Sequence, residues 1–266
     1  MPGPTLVDLK GKVVLITGAS TGIGEACAHA LSRRGARLVL TARSTAGLEQ
    51  VSRAIAPAQA SIVPADLRRP QDVTNLVERA IACHGRVDVL INNAGVGVYV
   101  SCWRVDPAVV REMMEVNFFA PLELIRSLVP HMQGQGGGTI VNVSSVAGKV
   151  ALPWLTLYSA SKAALNFLSD GLRMELRGTG IHVLSVCPGY VSTGFHQHVL
   201  AGEVPRAVAN RRRFTITPQE CAEAIVTGVE KEKRTIVTPG IAWVLVGLAR
   251  VLPGPVDRVL GGMQGP

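Results

Sequence analysis

The chain predicts an α/β fold, doubly wound around a mainly parallel sheet of six or seven strands, on three observations. Short, β-branched apolar runs alternate with longer stretches of helical length along the whole sequence. The runs are almost continuously hydrophobic, as strands are when helices cover both faces of a sheet. A glycine-rich turn joins the first run directly to the first helical stretch, in the order strand, turn, helix.

The strand runs fall at 13–17, 37–41, 61–64, 87–91, 139–143 and 182–186, with 235–237 as a candidate seventh. Between them 23–34, 70–84, 108–132 and 159–177 carry spaced apolar residues, as helices packed on a sheet do. Thr217, Pro218 and Glu220 mark a further helix start: a capping hydroxyl, proline at the first helical position and glutamate three residues after the cap. The glycine-rich stretch 134–138 is too short for an interdomain linker, and no repeat interrupts the pattern. The 266 residues therefore read as a single domain, spanning 1–266.

Composition narrows the function classes. The five cysteines are scattered, with no CxxC pair and no histidines at zinc-ligand spacing, so they read as reduced thiols in a reducing, cytoplasmic setting with no metal site. The first ten residues lack the basic flank and apolar stretch of a secretory signal. A net charge of +8 is dispersed in short clusters, Arg33-Arg34, Arg68-Arg69 and 211–213, with only 4% aromatics to stack bases. Solvated helix ends and anionic small molecules account for that pattern better than nucleic acid does.

The turn after the first strand reads Thr17-Gly18-Ala19-Ser20-Thr21-Gly22-Ile23-Gly24. Glycines at 18, 22 and 24 permit a tight bend and close backbone approach, and the helix N-terminus that follows offers free N–H groups to a pyrophosphate. The bland alternative is a glycine loop without a ligand. Thr41-Ala42-Arg43-Ser44, after the second strand, has no acid to meet a ribose 2′-hydroxyl, and Arg43 is suited to a 2′-phosphate unless it is simply a solvated loop arginine. Asp66-Leu67 and Asn92-Asn93-Ala94-Gly95 lie at the carboxyl ends of the third and fourth strands, where ligands bind in open α/β sheets.

Tyr158 and Lys162 stand four residues apart on one face of a helix, where an ammonium lowers a phenol's pKa toward the working pH of a general acid or base. Thirteen residues before the tyrosine, Ser145 ends the fifth strand and offers a hydroxyl to a substrate oxygen, with Ser144 shaping the loop. Asn117 occupies mid-helix, where asparagine has poor propensity. Pro188-Gly189, Val191 and Thr193 follow the sixth strand.

Together TGxxxGxG, NNAG, serine before YxxxK and the PG pair resemble the short-chain dehydrogenase/reductase family over residues 10–195. The resemblance implies a Rossmann fold and hydride transfer between nicotinamide and a carbonyl or secondary alcohol, with NADP(H) favoured over NAD(H). It implies a catalytic set of Asn117, Ser145, Tyr158 and Lys162, with Asn117 holding a water that connects the lysine to solvent. Gly18, Ser20, Thr21, Gly22, Ile23, Gly24, Arg43, Asp66, Leu67, Asn93, Ala94, Gly95, Pro188, Gly189, Val191 and Thr193 would hold the cofactor alongside Tyr158 and Lys162. In this resemblance Asp66 contacts adenine, Thr193 the carboxamide, and the helices around Asn117 and Tyr158 form a homodimer or homotetramer. A chain keeping the fold to sense NADP(H), or to work as a lipid-surface scaffold, is the competing reading.

Substrate choice in this family lies after the sixth strand, here 192–214, where Phe195, His196 and Val199 are candidate pocket residues. The stretch 150–155, with Trp154, suggests an apolar wall and hence a hydrophobic carbonyl substrate. The tail, 240–266, is strongly apolar from 241 to 251 yet shorter than a bilayer span. Three readings stand for it: a helix over the pocket, a subunit contact, or a segment peripheral to a membrane.

Overall fold

The computed structural model describes residues 6–55, 59–203 and 215–262. Seven parallel strands form the central sheet: β1 (Val13–Thr17), β2 (Arg37–Thr41), β3 (Ala60–Ile62), β4 (Val89–Asn92), β6 (Gly138–Val143), β7 (Ile181–Pro188) and β9 (Thr235–Thr238). Their order is β3-β2-β1-β4-β6-β7-β9, so the direction of winding reverses between β1 and β4. The carboxyl ends of those two strands open a crevice at the reversal, the place where ligands bind in such sheets.

Period-two alternation along β1 explains how one strand serves two cores. Val14 and Ile16 pack with α1 (Gly22–Arg33) and α7 (Pro218–Glu230) on one face; Val13 and Leu15 pack with α3 (Pro70–His84), α5 (Ala120–Gly134) and α6 (Thr156–Glu175) on the other. All four side chains are at most 1% exposed. Helix α2 (Thr45–Ala54), which the periodicity reading does not single out, is capped by Ser44, whose hydroxyl accepts the Gly47 N–H.

The expected helix over 108–132 is broken in two. Helix α4 (Pro107–Met114) passes through a π-helical turn, Glu115–Phe119, before α5 resumes the regular spiral. The widened turn carries Asn117 inward, and such turns recur at functional sites. A small second sheet is also present, in which β5 (Gly97–Tyr99) pairs in parallel with β8 (Val199–Gly202). At three and four residues these strands are too short for periodicity to reveal. The apolar tail forms two helices, α8 (Ala242–Val251) and α9 (Pro253–Gly261), and no helix among the described residues is long and apolar enough to cross a membrane.

Candidate active site

The crevice opens into a cavity of about 990 Å³ that runs past the ends of β1, β2, β4, β6 and β7. At one end the glycine turn leads into α1, whose N-cap Thr21 makes no side-chain capping bond, leaving the first amides open to an anion. Gly18 and Gly22 both have positive φ, 65° and 60°, which only glycine adopts cheaply. A Cβ on Gly24 would sit 2.2 Å from the Gly18 carbonyl oxygen, so this glycine is required for the turn to close on the helix rather than for contact with the cavity.

The turn is laced to the NNAG loop through Thr17. Its buried hydroxyl accepts the N–H groups of Asn93 (2.9 Å) and Ala94 (3.0 Å) and donates to the Ile91 carbonyl (3.3 Å). Asn93 Nδ2 returns a bond to the Thr17 carbonyl at 2.8 Å. Thr17 is a positioning residue: the motif includes it without showing its role, because its work is done from beneath the cavity floor.

Ser20, Thr21, Gly22, Ile23, Arg43, Asp66, Leu67, Asn93, Ala94 and Gly95 line the same stretch of cavity. Arg68 joins them. It grips the Asp66 carboxylate from Nη2 at 2.6 Å and from Nε at 2.9 Å, and this pairing, against the opposing effect of burial, holds the acid below the usual carboxylate range. Arg43 contributes a weaker pull of the same sign.

At the reacting end Ser145, Tyr158 and Lys162 meet. Ser145 Oγ accepts the Ala147 N–H at 3.0 Å, faces the Pro188 carbonyl at 3.4 Å and shares a hydrogen bond with the Tyr158 hydroxyl. The loop after β6 is pinned to α6: Ser144 Oγ donates to the Lys162 carbonyl at 2.9 Å, and Asn166 Nδ2 to the Gly148 carbonyl at 3.1 Å. A Cβ on Gly148 would come within 2.7 Å of the Lys162 backbone. These contacts fix the spacing between the serine and the tyrosine.

The electrostatics correct one expectation. Burial pushes the Tyr158 phenol above its usual range, with Tyr99 adding to the rise, and the net shift stays upward despite the Ser145 hydrogen bond, which lowers it, and the Lys162 ammonium nearby. The ammonium lies 5.9 Å from the ring centroid and donates to the Val143 carbonyl at 3.0 Å. Burial lowers Lys162 itself to about 8. Desolvation therefore dominates at both groups, outweighing the Ser145 hydrogen bond at Tyr158 and the attraction of Cys187 at Lys162, and it favours the protonated Tyr158 phenol.

Asn117 stands behind the cavity, fully buried. Its Oδ1 accepts the Val96 N–H at 2.9 Å, and its Nδ2 donates to the Val96 carbonyl and Ser161 Oγ, each at 3.0 Å. A Cβ on Gly95 would lie 3.3 Å from both Asn117 Oδ1 and Lys162 Nζ. The asparagine side chain thus holds the loop against the lysine, and both its N–H donors are engaged by protein.

Beyond Tyr158 the walls turn apolar. Val96, Tyr99, Val146, Leu152, Leu155 and Phe195 line this part, and Phe195 meets Tyr158 edge to face at 5.8 Å between centroids. Pro188, Gly189, Val191 and Thr193 border the junction, with Thr193 Cγ2 so close to Gly22 that an added Cβ would lie 3.1 Å away. Trp154 and Val199 are not in the lining; Val199 instead opens β8 and pairs with Gly97. The His196 side chain and 204–214, which includes the three arginines, lie outside the described residues. Ile241, Ala242, Val244, Leu245 and Leu248 complete the wall, which places the first helix of the tail alongside the pocket.

Fold and cavity together define a nicotinamide-dependent oxidoreductase of the doubly wound class. The family model described as short chain dehydrogenase matches residues 12–203, and the chain belongs to that family. It is 35% identical over 263 residues to a protein of Nostoc sp. named ketoacyl reductase HetN, covering 96% of this chain and 90% of the relative. A 3-ketoacyl-(acyl-carrier-protein) reductase from Brucella melitensis, solved with NADH, superposes with a TM-score of 0.79 at 29% identity over 86% of this chain and 97% of that one. A metagenomic short-chain oxidoreductase solved with NADP gives 0.72 at 34% identity over 86% and 96%. Both forms of the cofactor therefore occur among its structural neighbours.

Proposed function

We propose that this protein is an NADP(H)-dependent reductase of a hydrophobic carbonyl compound, able to run in reverse on the secondary alcohol. The observation that carries the reading is the meeting of Ser145, Tyr158 and Lys162 in the same cavity as the glycine turn and Arg43. The open amides at the start of α1 fit a pyrophosphate, and Arg43 stands at the end of β2 where no acid competes for a ribose hydroxyl.

When bound, the cofactor supplies or takes the hydride. The Tyr158 hydroxyl gives its proton to the carbonyl oxygen as that oxygen gains charge, and Ser145 Oγ donates a hydrogen bond to the same oxygen. A phenol held protonated by its surroundings suits the reductive direction. Lys162, charged below about pH 8, stabilises the tyrosinate left behind and hydrogen-bonds the nicotinamide ribose. Gly18, Ser20, Thr21, Gly22 and Ile23 hold the phosphates; Asp66, Leu67, Asn93, Ala94 and Gly95 hold the adenosine; Pro188, Gly189, Val191 and Thr193 orient the nicotinamide. Asn117 positions the Gly95–Val96 backbone against Lys162.

The test follows NADPH and NADH oxidation over a panel of aliphatic, aromatic and acyl ketones, with Tyr158→Phe and Arg43→Ala beside the wild type. Tyr158→Phe is expected to lower kcat by about a hundredfold to ten-thousandfold while NADPH still binds. Arg43→Ala is expected to cost NADPH about tenfold to a hundredfold in KM and leave NADH nearly unchanged. Tight NADPH binding with no turnover of any carbonyl would turn the reading toward cofactor sensing.

Exposed Phe119, Phe167 and Met174, on the helices around Asn117 and Tyr158, support a homo-oligomer through that face. Light scattering should give a dimer or tetramer mass, and a protomer mass at micromolar concentration would remove that assignment.

A further inference from the structure

Helix α8 follows closely on β9 and turns one face to the cavity. Ile241, Val244, Leu245 and Leu248 recur at the spacing of a single helical stripe, and all four belong to the cavity lining. Seven residues of rise carry that stripe about 10 Å away from its start, with no polar side chain along it. Ile241, Val244 and Leu248 are nevertheless 56%, 56% and 46% exposed, so the wall forms an open-sided groove.

The exposure does not come from a loosely attached helix. Val246, on the opposite side of α8, is 2% exposed and packs in one cluster with Val146, Val150, Cys187 and Val237, and Leu260 of α9 is anchored in the same cluster. A helix fixed from behind, with Leu245 half-buried against that cluster and Ile241, Val244 and Leu248 left open beside the reacting end, is shaped for an apolar ligand that enters the cavity.

We infer that this groove binds the aliphatic tail of the substrate, which makes the substrate class a long, linear carbonyl compound or its secondary alcohol. The inference rests on the reductase reading above, because it places the carbonyl against Ser145 and Tyr158 and leads the chain outward along α8. The lining of Ile241, Ala242, Val244, Leu245 and Leu248 is aliphatic along its full length of about 10 Å, which favours an extended chain whose methylenes follow it from end to end. The aliphatic character of the stripe fits the same occupant: methylene groups pack on Val and Leu without a polar partner.

The test uses a homologous series of linear methyl ketones with the wild type, Leu248→Ser and, as a control on the exposed face of α9 away from the cavity, Val259→Ser. For the wild type, kcat/KM is expected to rise about twofold to fourfold per methylene until the chain passes Leu248. Leu248→Ser should lower the ratio of long-chain to short-chain kcat/KM by about tenfold, while Val259→Ser leaves that ratio as it was. The same ketones, titrated calorimetrically into protein saturated with NADP+, with which they cannot react, read the length dependence without turnover. Turnover with no dependence on chain length would overturn the groove and keep the reductase; length-dependent binding with no turnover would keep the groove and remove the reductase. A uniform loss across all lengths in Leu248→Ser, accompanied by a change in oligomer mass, would reassign the stripe to a subunit contact.

Discussion

The two ends of the cavity are built by different means. At the end proposed to take the cofactor's phosphates the backbone provides the surface: Gly18, Gly22 and Gly24 bring chain against chain, and Thr17 and Asn93 lock the turn to its neighbour loop. At the far end side chains from the β6–α6 loop, the stretch after β7 and α8 converge, and each contributes apolar surface with few directional bonds. Backbone surfaces tolerate little change because a Cβ has nowhere to go. Side-chain surfaces lose affinity in proportion to the contact removed. The contrast teaches where this protein is rigid in design and where its specificity is adjustable.

Gly24→Ala is the harshest test of that contrast. Its new Cβ would meet the Gly18 carbonyl oxygen at 2.2 Å and Asn93 Nδ2 at 2.6 Å, both parts of the hydrogen-bonded turn. The turn must open, at a cost of about 1–3 kcal/mol in stability, and NADPH affinity should fall at least about a hundredfold because the amides no longer converge. Thermal unfolding and a fluorescence titration with NADPH measure the two losses. A variant with wild-type Tm and affinity would show that the phosphate end yields as readily as the substrate end.

The same contrast decides what could be read from the sequence. Strand runs and the glycine turn are local patterns, so β1, β2, β6, β7, the capping box at Thr217 and the TGxxxGxG, NNAG and YxxxK motifs stand out. The π-helical turn at Asn117 does not, because it depends on bonds to Val96 and Ser161, 21 and 44 residues away. Nor does the buried chain Asn92 to Asn142 to Ser169, at 2.9 and 2.8 Å, which ties β4 and β6 to the helix that carries Tyr158. The sequence leaves the role of α8 open among three readings for the same reason: an apolar stripe marks a contact surface and leaves unspecified what meets it. The tuning of Tyr158 is not legible either, because helical spacing reports a neighbour and says nothing about burial, which here dominates.

Proton transfer at the junction of the two ends offers a smaller and sharper test. Burial depresses Lys162 to about 8, whereas Tyr158 is raised from its ordinary value, so the two titrations move apart rather than together. A depressed lysine is charged below about pH 8 and loses its proton as the pH rises through that value. Reduction should therefore run at a plateau near neutrality, and kcat/KM should fall by about tenfold per pH unit on the alkaline side. The tyrosine stays protonated through that range, which assigns the limb to Lys162. Initial rates across the alkaline range, with stability followed in parallel, separate the possibilities. A limb starting near pH 8 fits desolvation of the buried ammonium, while activity undiminished until the tyrosine's own range would mean that the lysine keeps enough water or negative charge around it to remain a full cation.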